Sequence, residues 1–277
     1  MAPFFNFTLQ ERYMVKVACQ TIVFGNPTIK DNFAKYAETV KKIGYDGIET
    51  GVRHFHMDRL DYYKDLFTRL NLNLIALHVG GDFLDRDSVR RQLDNFKSTI
   101  EFGKKLNCTY IFLSGTYKKD KTADDYKTEA QNYCDLGKIC GDEGLKLCYH
   151  NHDWEFYNDS TGIKILLDNI PAELMKLVPD VGWVHEAGVD SLQFVKDNIE
   201  RIEALHFKEF KKRGCPREEA AKEITELGKG LVPFGAIYDY AVGRGRDWWI
   251  VAEQDQTSLE PAEAARLNYE FIRGLGK

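Results

Sequence analysis

No apolar run in this chain approaches the roughly 20 residues that a membrane-spanning helix needs, so no membrane partner is expected. The opening MAPFFNFTLQERYM lacks a basic segment followed by an apolar stretch and a small-residue cleavage site, and the chain reads as cytoplasmic. CxxC pairs are absent too. The cysteines at 19, 108, 134, 140, 148 and 215 read as free thiols in reducing surroundings rather than as a disulfide framework. Positive charge is in deficit, with 38 Lys and Arg against 43 Asp and Glu for a net charge of −5. That balance disfavours a general nucleic-acid binder, whose phosphate contacts depend on fields of Lys and Arg. The glycine-containing stretches LGKG and GRGRD have neither P-loop nor Rossmann spacing and read as turns. These absences leave a small-molecule partner.

What is present is an ordinary globular mixture, 43% hydrophobic and 29% charged, over 277 residues. An α/β barrel of that size runs as a single unit, so residues 1–277 are read as one domain. Short apolar runs alternate with longer helical patterns, and the runs rarely show polar alternation, as expected of parallel strands buried on both faces. The strands are VKVACQ, YDGIE, LNLIALH, CTYIFLS, LKLCYH, MKLVPD, IEALH and WWIVAE. Their ends recur at roughly 30-residue spacing, one strand plus one crossover helix each time. Eight such units predict a (β/α)₈ TIM barrel. In the first helix Pro27 and Thr28 are start signals, Phe33, Tyr36, Ala37 and Val40 repeat at helical spacing, and Gly44 is the stop. In the last helix Ser258 is the expected cap and Pro261 lies in the first turn. The interval from His206 to Glu253 is the longest and is expected to hold an extended loop forming part of a lid.

Every run ends on a polar residue: Gln20, Glu49, His78, Ser114, His150, Asp180, His206 and Glu253. In a barrel these ends meet at one face, where catalytic groups are assembled from several strands. The stretch YHNHDWEF sharpens the pattern, because His150 and His152 share strand parity and both face the mouth while Asn151 points away. With Asp180, His206 and Glu253 they form a set of N and O donors suited to one divalent ion, Mn²⁺, Co²⁺, Zn²⁺ or Fe²⁺. Glu155 and Asp153 are expected to orient the histidines as hydrogen-bond acceptors.

GYDGIE, YHNHDWEF, PDVGW, ALHFKEF, LGKGLVPFGAIYDYA and VAEQD, in this order and spacing, resemble the xylose-isomerase-like TIM-barrel superfamily of sugar isomerases, epimerases and inosose dehydratases. The resemblance spans about residues 15 to 275. It implies a metal held at the ends of strands five to eight by His150, Asp180, His206 and Glu253, with Mn²⁺ favoured. Two departures stand out. His150 replaces a glutamate that in isomerases and epimerases binds metal and exchanges a proton, which tells against two-base epimerisation. Trp183 replaces a substrate-contacting histidine and reads either as a pocket wall or as loop packing.

The implied chemistry removes a proton α to a carbonyl, with His152 or His150 as base and Glu49 and Glu253 as further catalytic carboxylates. Gln20, His78, Trp183 and Lys208 are candidate substrate contacts; a pairing of Glu49 with Arg53 is the structural alternative for that carboxylate. The preferred reading is an inosose-dehydratase-like lyase acting by β-elimination on a keto-sugar, keto-glycoside or keto-cyclitol. The alternative is a sugar epimerase or aldose–ketose isomerase. A metal-dependent endonuclease and a non-catalytic sugar-binding barrel are more remote. The sequence leaves the oligomeric state open, a homo-oligomer included.

Overall fold

Eight parallel strands form the centre of the molecule: β1 (Val15–Gln20), β2 (Gly47–Gly51), β3 (Asn73–Val79), β4 (Tyr110–Ser114), β5 (Lys146–His150), β6 (Lys176–Leu177), β7 (Ala204–Phe207) and β8 (Trp248–Ala252). This is a computed structural model that describes residues 14–277; the opening stretch read above for a leader lies outside the described residues. Strand order is β6-β5-β4-β3-β2-β1-β8-β7, and bridges from Leu177 to Ile202 and from Asp180 to His206 join β6 to β7. The result is a near-closed TIM barrel. All eight expected strands are present, but β6 is cut to two residues. Pro179 has no backbone N–H to continue a ladder, and only its carbonyl contributes, accepting from His206 N at 2.9 Å.

The helices Asn26–Ile43 and Pro261–Leu275 fall where the sequence signals place them, and Arg86–Lys105, Ala123–Asp142 and Ser191–Asn198 fill intervals between strands. Ile29, Phe33, Ala37 and Val40 form the buried stripe of the first, and Gly44 ends it with φ of 119°, a left-handed cap that costs glycine no Cβ clash. Ser258 does not cap the last helix. Pro261 begins it after Glu260, which makes no side-chain cap bond. Instead of an extended loop, the interval after β7 holds an antiparallel pair, Glu209–Phe210 with Ile224–Thr225, and a short helix, Arg217–Ala220.

One apolar layer packs strands against helices. A second fills the barrel with Ala18, Ile75, Ala76, Tyr110, Phe112, Cys148, Val178, Ala204 and Val251. The interior is therefore packed rather than a pore. Phe112 marks its top, its ring centroid 5.6 Å from that of His206, and gives the polar mouth an apolar floor. All six cysteines are free, and no described helix is long and apolar enough to cross a membrane.

Candidate active site

The mouth divides into two arcs. From β5 to β8, His150, Asp180, His206 and Glu253 each offer a donor atom, all within 4.8 Å of one another, and all four residues are buried. Local structure aims them. Asp180 begins the helix Val181–Glu186 and accepts the N–H of Trp183 on Oδ1 at 3.0 Å. Its Oδ2 is buried without a hydrogen-bond partner and faces the cluster. Asn151 fixes the backbone beneath, accepting from Asp180 N and donating to Asp180 O, each at 3.2 Å. In sequence Asn151 merely pointed away from the mouth; it pins the β5 end to the residues after β6.

The His206 ring lies between two carboxylates, with Nδ1 2.5 Å from Glu253 Oε2 and Nε2 2.6 Å from Glu49 Oε2. Burial alone would lower its pKa, but Glu49 and Glu253 outweigh that and raise it to about 10. The Lys208 ammonium lies 2.7 Å from Asp255, 3.2 Å from Glu253 and 3.3 Å from Asp180. Despite burial, those carboxylates hold its pKa well above the usual value. Glu253 is held well below the carboxylate range, where Lys208, His150 and His206 overcome burial; Asp180 is raised to about 6 by burial, with Lys208 opposing.

Glu49, Asp180, Glu253 and the rim carboxylate Asp255 thus face one ammonium, Lys208, and three imidazoles, His78, His150 and His206. Uncompensated carboxylate charge in a buried site is costly. That excess, with an Asp180 Oδ2 that accepts no hydrogen bond and has the Lys208 ammonium 3.3 Å away, fits a divalent ion held by two imidazoles and two carboxylates. His150 is suited to such a role, since burial holds its pKa well below the usual value and keeps the ring neutral.

The other arc runs from β2 to β4. Glu49 is fully buried, and His78 Nδ1 donates to its Oε1 at 2.7 Å. Burial would raise the Glu49 pKa, but His206 and His78 lower it on balance. The second nitrogen of His78 lies 2.7 Å from Ser114 Oγ. Glu49 does not pair with Arg53, whose guanidinium donates to Asn26 at 2.7 Å. Gln20 is buried at the β1 end, its Oε1 accepting from Ile22 N at 2.7 Å.

Above the donors, the His152 ring stacks on Trp154 with centroids 4.1 Å apart and lies 5.2 Å from the His150 ring. Burial, reinforced by the charges of Lys208 and Arg217, keeps its pKa well below the usual value. Trp183 packs into a small cluster with Phe210, Ala220 and Ile224, its centroid 5.9 Å from that of His152. The loop-packing reading of Trp183 is thus what its contacts show. Arg217, from the segment after β7, lies 4.1 Å over Trp154 and pairs with Asp153. Asp153 and Glu155 do not orient the imidazoles. Asp153 accepts from Arg217 and Tyr157, and Glu155 accepts from Tyr149 Oη and from the backbone N–H of His152. The reason is directional: the loop turns back after His152, so these carboxylates meet backbone and rim rather than ring nitrogens. Arg217 and Asp255 went unread in the sequence: Arg217 is distant along the chain from Asp153, and Asp255, although two residues after Glu253, meets Lys208 only through the fold.

The sequence model of a family described as xylose isomerase-like TIM barrel matches residues 37–275. Inosose dehydratase of Salmonella typhimurium is 25% identical over 264 residues, covering 84% of this chain and 85% of that one. Among solved structures, the IolI protein with a binding zinc atom superimposes with a TM-score of 0.74 at 17% identity, covering 94% of this chain and 97% of the other. The 3-keto-D-glucoside 4-epimerase of E. coli does so with a TM-score of 0.74 at 14% identity, covering 94% and 100%. At these identities the structural likenesses speak for the fold.

Proposed function

The chain belongs to the xylose isomerase-like TIM barrel family, and from that premise we propose that it is a divalent-metal-dependent lyase acting by β-elimination on a keto-cyclitol, keto-sugar or keto-glycoside. Its inosose dehydratase relatives support the reaction type. The observation that carries the reading is the pair of imidazoles at and just after the end of β5, His150 buried among the donors and His152 half-buried beside them, stacked on Trp154. Elimination needs one base and one acid for the leaving oxygen, whereas two-base epimerisation calls for a second exchanging group at the β5 position.

His150, Asp180, His206 and Glu253 would hold the ion, which when bound supplies Lewis-acid stabilisation of the negative charge that proton removal leaves on a carbonyl oxygen. Manganese suits the two carboxylates, and cobalt, zinc or iron the imidazoles equally well. His152 takes the α-proton on Nε2, since its Nδ1 is buried without a partner. Lys208, held by three carboxylates, brings a fixed positive charge to the same place. Trp154, Trp183 and Arg217 cover the rim and keep bulk water from the reacting carbon. Free thiols and the acidic balance fit a cytoplasmic enzyme with a small-molecule substrate.

The test is NMR analysis after incubating metal-loaded enzyme with keto-cyclitols, 3-keto-glycosides and ketoses in D₂O. An unsaturated ketone is expected. Deuterium incorporation with an epimer and no unsaturation would replace elimination with epimerisation.

A further inference from the structure

Ser114, His78 and Glu49 form a continuous hydrogen-bonded chain across three adjacent strands, with both links at 2.7 Å. Its inner end is fully buried, while the His78 side chain keeps 14% of its surface. Ser114 stands in register with His150 on the neighbouring strand, so its hydroxyl shares the row from which the donor cluster begins. The His78 ring in turn meets that of His150 edge-on, with centroids 5.1 Å apart. A histidine that only satisfied Glu49 would need one nitrogen; here the second is committed to a hydroxyl facing the mouth. Hydroxyl, imidazole and carboxylate in this order can pass a proton outward when the ring holds a proton on both nitrogens, its charge matched by the Glu49 carboxylate until one proton is given to the hydroxyl.

We infer that Ser114, His78 and Glu49 are a proton relay, with the Ser114 hydroxyl as a further catalytic group that protonates the leaving oxygen of the substrate. This rests on the β-elimination reading above. The two arcs then divide the work: β5 to β8 hold the carbonyl side and the base, and β2 to β4 deliver the acid. His152 removes the α-proton, and the electrons of that C–H bond pass to the carbonyl oxygen as an enolate; in a second step they return to form the new C=C as the Cβ–O bond breaks. The departing oxygen keeps the pair of the broken bond and takes the Ser114 proton, leaving as water if it was a hydroxyl. Ser114 is reprotonated from Nε2 of His78, whose Nδ1 proton stays against Glu49. Solvent then removes the proton from His152 and restores the one on His78. No oxidant, reductant or co-reactant is needed.

The experiment compares wild type, Ser114→Ala and Ser114→Thr in D₂O with the substrate panel above, following α-deuterium incorporation and unsaturated product separately. Ser114→Ala is expected to keep its metal and its α-exchange while product formation falls about 10²-fold, with KM little changed. Ser114→Thr, which keeps the hydroxyl, is expected to recover most of the loss. Unchanged product formation in Ser114→Ala overturns the relay and leaves elimination standing. A wild-type enzyme that exchanges or epimerises without eliminating overturns both. A spectroscopic arm does not depend on turnover. In ¹⁵N-histidine spectra, the resonances that vanish in His78→Gln should include an Nε2 signal that moves in Ser114→Ala while Nδ1 stays. An Nε2 signal indifferent to Ser114→Ala shows that the chain is absent in solution and overturns the proposal.

Discussion

At the scale of single residues, two histidines of the same type and parity receive different environments. His150 is one of four mutually close donors, whereas His152 stacks on Trp154 one same-face step further out. His150→Ala is therefore expected to lower both metal occupancy and rate. His152→Ala should retain the metal and lose about 10²- to 10⁴-fold in α-proton exchange. Metal analysis beside a deuterium-exchange assay separates them, and retention of metal by His150→Ala with loss in His152→Ala would reverse the assignment. Glu155 offers a test by pH. Burial raises its carboxyl from 4.5 to about 7, although Tyr149 and the His152 N–H oppose the rise. The folded state thus favours the protonated form. The stability this contributes is fully present below pH 4.5 and is lost as pH rises through about 7. The stability of wild type relative to Glu155→Gln should fall between pH 4 and pH 8 by at most about 3 kcal/mol, since a tenfold change in proton affinity is worth about 1.4 kcal/mol. Urea unfolding at several pH values reads this directly, and a pH-independent difference would show that the carboxyl titrates normally.

At the scale of elements, the turn after β6 shows how much of the site the sequence makes legible. PDVGW reads as a strand end followed by a helix start, and Asp180 does carry out both tasks, one oxygen capping the helix and the other facing the cluster. Gly182 is there for a reason no spacing reveals: a Cβ at this position would lie 2.1 Å from the backbone carbonyl oxygen of Lys208. Gly182→Ala must push the helix away from the β7 end, and with it Asp180 from Lys208. A loss of about 1–3 kcal/mol is expected, typical of overpacking, together with reduced metal affinity, measured by urea unfolding and by metal titration. A variant as stable and as metal-competent as wild type would mean that the turn relaxes freely. The eight strand ends were legible because burial on both faces makes parallel strands apolar up to the mouth, so a polar terminus stands out. The ordered segment after β7 was not, because its strands of two residues carry no period. Nor was the link from Ser114 through His78 to Glu49, since it depends on register between strands rather than on order along one.

At the scale of the whole molecule, the barrel has one weak seam. Every other neighbouring pair of strands shares a ladder, but β6 and β7 meet only through the bridges Leu177 to Ile202 and Asp180 to His206. The second of these bridges joins two of the four donor residues. An ion held by His150, Asp180, His206 and Glu253 would draw donors from the ends of β5, β7 and β8 and from just beyond β6, so it would clasp the barrel where hydrogen bonding is thinnest. It would also offset the excess of buried carboxylate. Because the unfolded chain holds these residues far apart in sequence, binding should favour the folded state by about 2.7 kcal/mol at a 100-fold excess over Kd. For a chain of this size that corresponds to a rise in Tm of roughly 5 °C. Thermal unfolding of protein stripped with chelator and then titrated with Mn²⁺, Co²⁺ or Zn²⁺ measures the rise. Hydrogen exchange should show the protection gained concentrated at residues 176–180 and 202–207. Asp180→Asn, which keeps the helix cap but weakens the donor, should lose most of the increment while its chelator-treated form melts close to chelator-treated wild type. A Tm indifferent to all three metals would remove the ion from the seam and, with it, the basis for metal dependence.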